Sequence, residues 1–356
     1  MRREPKESNP TSDAWRFVGK LVAYLLVLGT LCAVVQSMAM HQVRAHLGVA
    51  ASMTLLKREW IRDGWVQFPE GKTGVIALGD SRMLAAMSPL DFDGATEGST
   101  HTFNLSLPAS TSDAHRAVLE EVISSGDIPE WIILGLAPNT PFRPDTASYR
   151  SIGIANPREL LPVLKSNPEW RKILIDWLLP IRRFQTDLTT WLNRLVFKRN
   201  EIDGRNVAAA RLAEQLVENR GMYAKSDVLK LNPGEEATPN YLNINPDVDP
   251  ANRELLELAA AHGIKVLLVS GPVRPGELIR NPETAALAAT VADGLPGIFI
   301  SPGYFDPMVL SDYSFSDLVH VNLTGSKEFS RQLALEFMNL PKMHPNDSIP
   351  ASQQEP

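Results

Sequence analysis

One cysteine, Cys32, occurs in the 356 residues, so the chain can form neither an internal disulfide nor a cysteine-based metal cluster. An excess of basic charge is missing too. Lys and Arg number 35 against 41 Asp and Glu, giving a formal charge of −6, and no basic cluster appears outside one helical segment, which argues against a nucleic-acid surface. Histidine is scarce. Of the seven, His101, His115, His262 and His344 lack partners at ligand spacing, so no metal is assigned and no cofactor is expected. Internal repeats are absent as well. Apolar residues are plentiful, and at 44% they supply a real core for one large or two ordinary domains and exclude a disordered chain.

The N-terminus carries the longest apolar run. "FVGKLVAYLLVLGTLCAVVQSMAM" (17–40) has about the length needed to cross a bilayer as a helix, with Lys20 able to snorkel at one end. Arg2, Arg3, Lys6 and Arg16 precede it, a flank that favours a cytoplasmic tail over 1–16 and export of the residues beyond the span. The expectation is a single-pass anchor. A cleaved signal peptide, with Ser37 and Ala39 as the small residues before the cut, is the alternative, but the run is longer than a typical signal core. Leu31 occupies the place where a lipoprotein reading of Cys32 would want a small residue.

Residues 41–72 form an expected stem, ending at "FPEGKTG" (68–74). From Thr73 to Leu340 the chain alternates β-type runs with helical patterns. The runs are 73–78, 100–107, 130–136, 264–270 and 297–301; helices are expected over 111–124, 250–262, 282–293 and 324–337. This alternation predicts right-handed crossovers and a parallel sheet covered on both faces, an α/β sandwich of three layers. The rhythm lapses over 141–249, which reads as a helical insertion. Within it, 167–199 is rich in Trp and Leu, with Pro180 forcing a break, and suits either a cap on the sheet or a lid or interface. Residues 341–356 have too little apolar content to fold and read as a loose tail.

The chemistry concentrates in two places. In "ALGDSRMLAAM" (77–87) Ser81 follows the first strand where a helix begins, so free backbone N–H groups and the helix dipole favour negative charge there. A serine hydroxyl needs a base before it becomes a nucleophile. "SDLVHVNLTG" (316–325) offers one: Asp317 and His320 are three residues apart, a spacing that can place both on one turn, with the carboxylate holding the imidazole while its other nitrogen faces Ser81. Asp80 reads as a turn residue that bonds local backbone rather than as an acid. Arg82 suits a substrate carboxylate or phosphate, or a structural ion pair. Arg274, in the turn sequence "GPVRPGE" (271–277), can face the same crevice.

A Gly-Asp-Ser after the first strand and an Asp-x-x-His after the last, with an alternating α/β pattern between, resembles the SGNH or GDSL-like hydrolases over residues 73–337 apart from the insertion. The resemblance implies a five-stranded parallel sheet of flavodoxin-like order 2-1-3-4-5, with Ser81 at the switch point. It also implies Ser81 as nucleophile, with His320 and Asp317 completing the triad. Oxyanion donors are implied in the second and third blocks of the family, where "FNLSLPAST" (103–111) offers Asn104 and "GLAPNT" (135–140) offers Asn139. Four departures stand out: Ala109 replaces a usual glycine, the third block is not Gly-x-Asn-Asp, Arg82 replaces the leucine of the plain pattern, and Val321 replaces a common proline after the histidine.

With the anchor, these departures make the chain similar to the membrane-bound branch of that family. The branch includes D-alanyl transfer proteins of teichoic acid and partners of membrane-bound O-acyltransferases. The resemblance implies a membrane-anchored O-acyltransferase or esterase in the bacterial cell membrane, its C-terminal domain periplasmic or extracellular. It would act through an acyl-serine on an envelope glycan or lipid-linked polymer, with a membrane-bound O-acyltransferase as a partner. The alternative is a non-catalytic scaffold of the same fold that binds a polymer or that membrane partner. A soluble lipase is disfavoured by the anchor.

Overall fold

The structure, a computed structural model, describes residues 15–24, 27–31, 49–108, 110, 112–135, 211–230, 250–275, 294–305 and 307–340, with a few positions between 164 and 175. The chain divides into two compact units, one of residues 1–47 and 168–206, the other of 48–167 and 207–356. In the first unit, residues 15–24 and 27–31 are helical, and Trp15, Phe17, Leu21, Tyr24, Leu28 and Leu31 are all exposed. Among the described residues no helix is long and apolar enough to cross a membrane. Residues 32–40 of the expected span lie outside them.

The second unit is built on a sheet of five parallel strands in the order β2-β1-β3-β4-β5. These are β1 (Thr73–Gly79), β2 (Thr100–Asn104), β3 (Trp131–Gly135), β4 (Lys265–Val269) and β5 (Ile298–Ile300). The central strands read as unbroken apolar runs because both of their faces are covered. Val75 and Ala77 of β1, Trp131 and Ile133 of β3 and Leu267 and Val269 of β4 share one core with the helices of one face. Those helices are α2 (Ser81–Ala86), α3 (Pro89–Ala95) and α8 (Leu323–Asn339), which contribute Met83, Phe92, Phe329 and Phe337. The alternate residues Ile76, Leu78, Ile132, Leu134, Val266 and Leu268 are equally buried and point to the other face. There α1 (Val49–Arg62), α4 (Ser112–Ser125) and α6 (Pro250–Ala261) pack in sequence, α4 between the other two.

Two glycines let α2, which begins at Ser81, cross the strand ends. A Cβ on Gly79 would lie 2.5 Å from that of Met83, and one on Gly135 would lie 2.8 Å from its Cγ. Gly79 and Gly135 are partners in the β1–β3 register, so α2 passes directly over the paired carboxyl ends of the two central strands.

The structure corrects three expectations. The stem expected over 41–72 is, from residue 49, part of the body. Met53, Trp60, Ile61 and Val66 are buried, and Arg58 pairs with Glu121 of α4. Strand β2 ends at Asn104 rather than residue 107, although the next residues still track β1 through Leu105 N–H to the Ala77 carbonyl at 2.8 Å and Leu107 N–H to that of Gly79 at 2.9 Å. The end of the expected insertion also belongs to the body. There α5 (211–218) buries Leu212 and Leu216, and a strap over 220–229 comes after it. The strap begins with the Asn104 N–H donating to the Arg220 carbonyl at 2.9 Å. Gly221 has φ +95° and a Cβ there would come within 2.1 Å of the Asn104 carbonyl oxygen, so only glycine fits. Most of 141–249, the helix expected over 282–293 and the tail 341–356 lie outside the described residues. The remaining short elements are α7 (Pro302–Phe305) and a 3-10 turn at Asp312–Ser314.

Candidate active site

Ser81 is the first residue of α2, and Asp80 caps that helix. The Asp80 carboxylate accepts from the Arg82 N–H at 2.9 Å and from the Met83 N–H at 3.5 Å, which matches its reading as a turn residue. The cap fixes the turn, and the turn sets the Ser81 hydroxyl at the carboxyl end of β1. This is the point at which the strand order reverses.

The acid–base pair comes from a short loop between the 3-10 turn and α8. The loop closes on itself through the Ser316 N–H donating to the His320 carbonyl at 2.8 Å and a bridge between Phe315 and Val321. Inside it the Asp317 Oδ1 accepts the N–H groups of Val319 at 3.0 Å and His320 at 2.8 Å. The Asp-x-x-His spacing thus works through a side chain to backbone turn, not through a helical turn. Asn322 then caps α8 by accepting from the N–H groups of Thr324 and Gly325, while its amide donates to the Tyr313 carbonyl at 2.7 Å. Both ends of the loop are therefore fixed.

Three side chains meet. The His320 Nδ1 lies 2.9 Å from Oδ1 and 3.1 Å from Oδ2 of Asp317, and its Nε2 lies 2.9 Å from the Ser81 Oγ. Because a carboxylate only accepts, Nδ1 carries the proton and donates it, which leaves the Nε2 lone pair for the Ser81 hydroxyl. Partial burial works to raise the Asp317 pKa, but the N–H groups of Val319 and His320 and the imidazole outweigh it and hold the carboxyl below its ordinary value. Asp317 is therefore an anion at neutral pH. The arrangement suits proton removal from Ser81 by His320, with Asp317 stabilising the imidazolium that results.

The other site residues separate. Asn104 is fully buried, and its amide donates to the carbonyls of Met83 (3.1 Å), Leu84 (3.3 Å) and Met87 (2.8 Å). It holds the C-terminal end of α2 and has no proton left for an oxyanion, which corrects its expected role. Arg274 is also buried, and its Nε donates to Asp312 at 2.8 Å, so it braces the 3-10 turn rather than facing substrate. The Arg82 guanidinium makes no hydrogen bond or ion pair among the described residues, and its Cβ lies close to Gly271 in the turn after β4. Asn139 lies outside the described residues. No group of three or more His, Cys, Asp or Glu is placed to hold a metal among the described residues.

Two neighbours of the site carried no sequence signal. Lys225, on the strap, sets its Nζ 3.8 Å from the Asp317 Oδ2. His115, on α4, is buried near the end of β1 with its Nε2 2.7 Å from the Ser110 Oγ; that hydroxyl also lies 3.0 Å from the Gly79 carbonyl and 2.8 Å from that of Leu107. Since the hydroxyl has one proton for two carbonyls, Nε2 is the imidazole's donor, and Nδ1 has no hydrogen-bond partner among the described residues. Burial depresses the His115 pKa from 6.5 to about 4. No family model matches the sequence, and no curated protein shows significant similarity to it.

Proposed function

We propose that the chain is a membrane-anchored O-acyltransferase or esterase of the SGNH type. It would act outside the cytoplasm, through an acyl-serine at Ser81, on a cell-envelope polysaccharide or lipid-linked polymer. The observation that carries this reading is the hydrogen-bonded series from Ser81 Oγ through the His320 imidazole to the Asp317 carboxylate. It converges on a sheet edge where open α/β folds bind their ligands. A capped serine with a polar neighbour would need only one of these contacts.

The proposed cycle has two halves. His320 Nε2 takes the Ser81 proton as Oγ attacks the ester carbonyl of a donor, forming the Oγ–C bond; the collapsing intermediate expels the donor alcohol, which takes that proton from the imidazolium. In the second half an acceptor hydroxyl, of water or of a glycan, gives its proton to His320 and attacks the acyl-serine. The Ser81 oxygen leaves and recovers the proton. Hydrolysis and transfer differ only in the acceptor. Arg82, next to the nucleophile, suits an anionic group on a substrate.

The anchor is supported by the basic flank and by the apolar side chains of 15–24 and 27–31, which are exposed. Tethering would keep the acyl-serine near a membrane-bound O-acyltransferase partner. An export-dependent reporter fused beyond Leu340 is expected to be active in cells, with the protein retained in membranes after alkaline washing. Release in a soluble form shortened to near Ala39 would replace the anchor by a signal peptide.

One observation favours the second reading, a non-catalytic scaffold: the Asn104 amide, the side-chain oxyanion donor that the resemblance implied in the second block, is sequestered on the carbonyls of Met83, Leu84 and Met87. The two readings divide on an acyl-trapping experiment. Full-length protein is incubated with p-nitrophenyl acetate, with and without envelope glycans. An acetyl adduct on Ser81 that passes to glycan supports the transferase, one that passes only to water supports the esterase, and a folded protein with no adduct supports the scaffold.

A further inference from the structure

We propose that Lys225 is a positioning residue of the triad, its ammonium resting on the Asp317 carboxylate and tempering that carboxylate's hold on the His320 proton. The inference rests on the acyl-serine reading of the site and deepens it. The Lys225 Nζ is 3.8 Å from the Asp317 Oδ2, the same oxygen that lies 3.1 Å from His320 Nδ1. Cation, carboxylate and imidazole are thus in series.

The strap holds Lys225 in this place by its backbone. The Tyr223 N–H donates to the Leu84 carbonyl of the nucleophile's helix at 3.2 Å, the Leu323 N–H donates to the Lys225 carbonyl at 3.1 Å, and the Leu229 N–H donates to the Phe315 carbonyl at 2.7 Å. Lys225 also pairs with Asn322 as an isolated parallel bridge. The strap therefore joins the element that carries Ser81 to the loop that carries Asp317 and His320. None of these bonds uses the lysine side chain, so exchanging that side chain leaves the strap in position.

A triad carboxylate favours the imidazolium, which helps stabilise the transition state but also promotes protonation of the base before reaction. A cation on the far side of the same carboxylate offsets part of its negative charge. The base then stays neutral, and able to accept the Ser81 proton, at lower pH. Other charged groups sit on the elements packed around the pair: Asp80 at the N-cap of α2 and Arg82 in its first turn, Asp312 on the 3-10 turn with its partner Arg274, and Lys327 and Glu328 on α8. Among the described residues, Lys225 is the one Lys or Arg in an ion pair with Asp317. Both partners are about half exposed, 51% and 40%, so solvent keeps the effect modest.

The test is the pH dependence of Ser81 labelling by a fluorophosphonate in the full-length parent, Lys225→Met and Lys225→Arg. The expected result is an acid limb moved to higher pH by about 0.2 to 0.7 unit in Lys225→Met, with the plateau rate nearly unchanged. Lys225→Arg should return the limb to the parent position. Added salt should shrink the gap between the parent and Lys225→Met. A purely structural lysine would lower the plateau and leave the limb in place; superimposed limbs, or an arginine variant displaced as far as the methionine one, would overturn the inference. A parent that takes no label at all removes the acyl-serine reading itself, and a labelled parent with superimposed limbs removes the role of Lys225 alone.

Discussion

The His320 Nε2 lies 2.9 Å from the Ser81 Oγ although 239 residues of chain separate them. The contact is the product of two independent local structures, the capped start of α2 and the closed loop before α8. Replacing His320 by Gln keeps a polar group near the hydroxyl and removes the base. Phosphonate labelling of His320→Gln should fall on the order of 10³-fold or more, with thermal unfolding close to that of the parent, because the imidazole is part-exposed. A labelling rate within tenfold of the parent would show that another group activates Ser81.

The Asp317 carboxylate bonds the His320 Nδ1, and in the proposed cycle it stabilises the imidazolium. In Asp317→Asn the side-chain carbonyl can still accept the N–H groups of Val319 and His320, but the neutral amide loses the charge. If its NH2 faces Nδ1, the imidazole is pushed into the wrong tautomer. Labelling should drop on the order of 10³- to 10⁴-fold with little loss of stability. Comparison of labelling kinetics with a chemical denaturation curve checks both halves.

Asn104 gives the opposite pattern. Its amide serves three carbonyls at the end of α2, so Asn104→Ala leaves buried acceptors unpaired and should destabilise the protein by about 2 kcal/mol or more. Per folded molecule, Ser81 should label within a few-fold of the parent rate. An intact fold with labelling lost a hundredfold would restore the oxyanion role to Asn104.

Continuous apolar runs bounded by turn residues made β1, β3 and β4 legible in the sequence, since strands covered on both faces have no polar alternation to obscure them, whereas β2, with the sequence THTFN, was legible by its β-branched and aromatic residues and its end was overrun. Ser81, Asp317 and His320 were legible because each sits at an element boundary, where capping residues and turn chemistry leave a pattern. Helix α1 was legible as helical but was read as a stem, because Lys57 interrupts its apolar stripe. That residue is buried, with its Nζ donating to the Ser106 carbonyl at 2.7 Å and its pKa driven down by desolvation. The strap was illegible for a different reason: its links are backbone bonds, which residue types do not encode. Asn104 was misjudged because a sequence shows that an amide is present and not which carbonyls it meets.

His115 makes stability depend on pH. Its imidazole is buried and its pKa is lowered from 6.5 to about 4, so between these values the unfolded chain takes up a proton that the folded chain does not. Stability from this group is full above pH 6.5 and is lost as the pH falls towards 4, amounting to about 3 kcal/mol. Urea unfolding across pH 7 to 4 should show a shallower acid loss in His115→Gln than in the parent. Parallel curves would mean that His115 titrates normally.

The most direct test of the central claim is mass-spectrometric mapping of a fluorophosphonate adduct on the full-length protein. One covalent adduct is expected on the peptide containing Ser81, absent after heat denaturation and absent in Ser81→Ala. A folded parent that takes no adduct, or an alanine variant labelled as well as the parent, would contradict it.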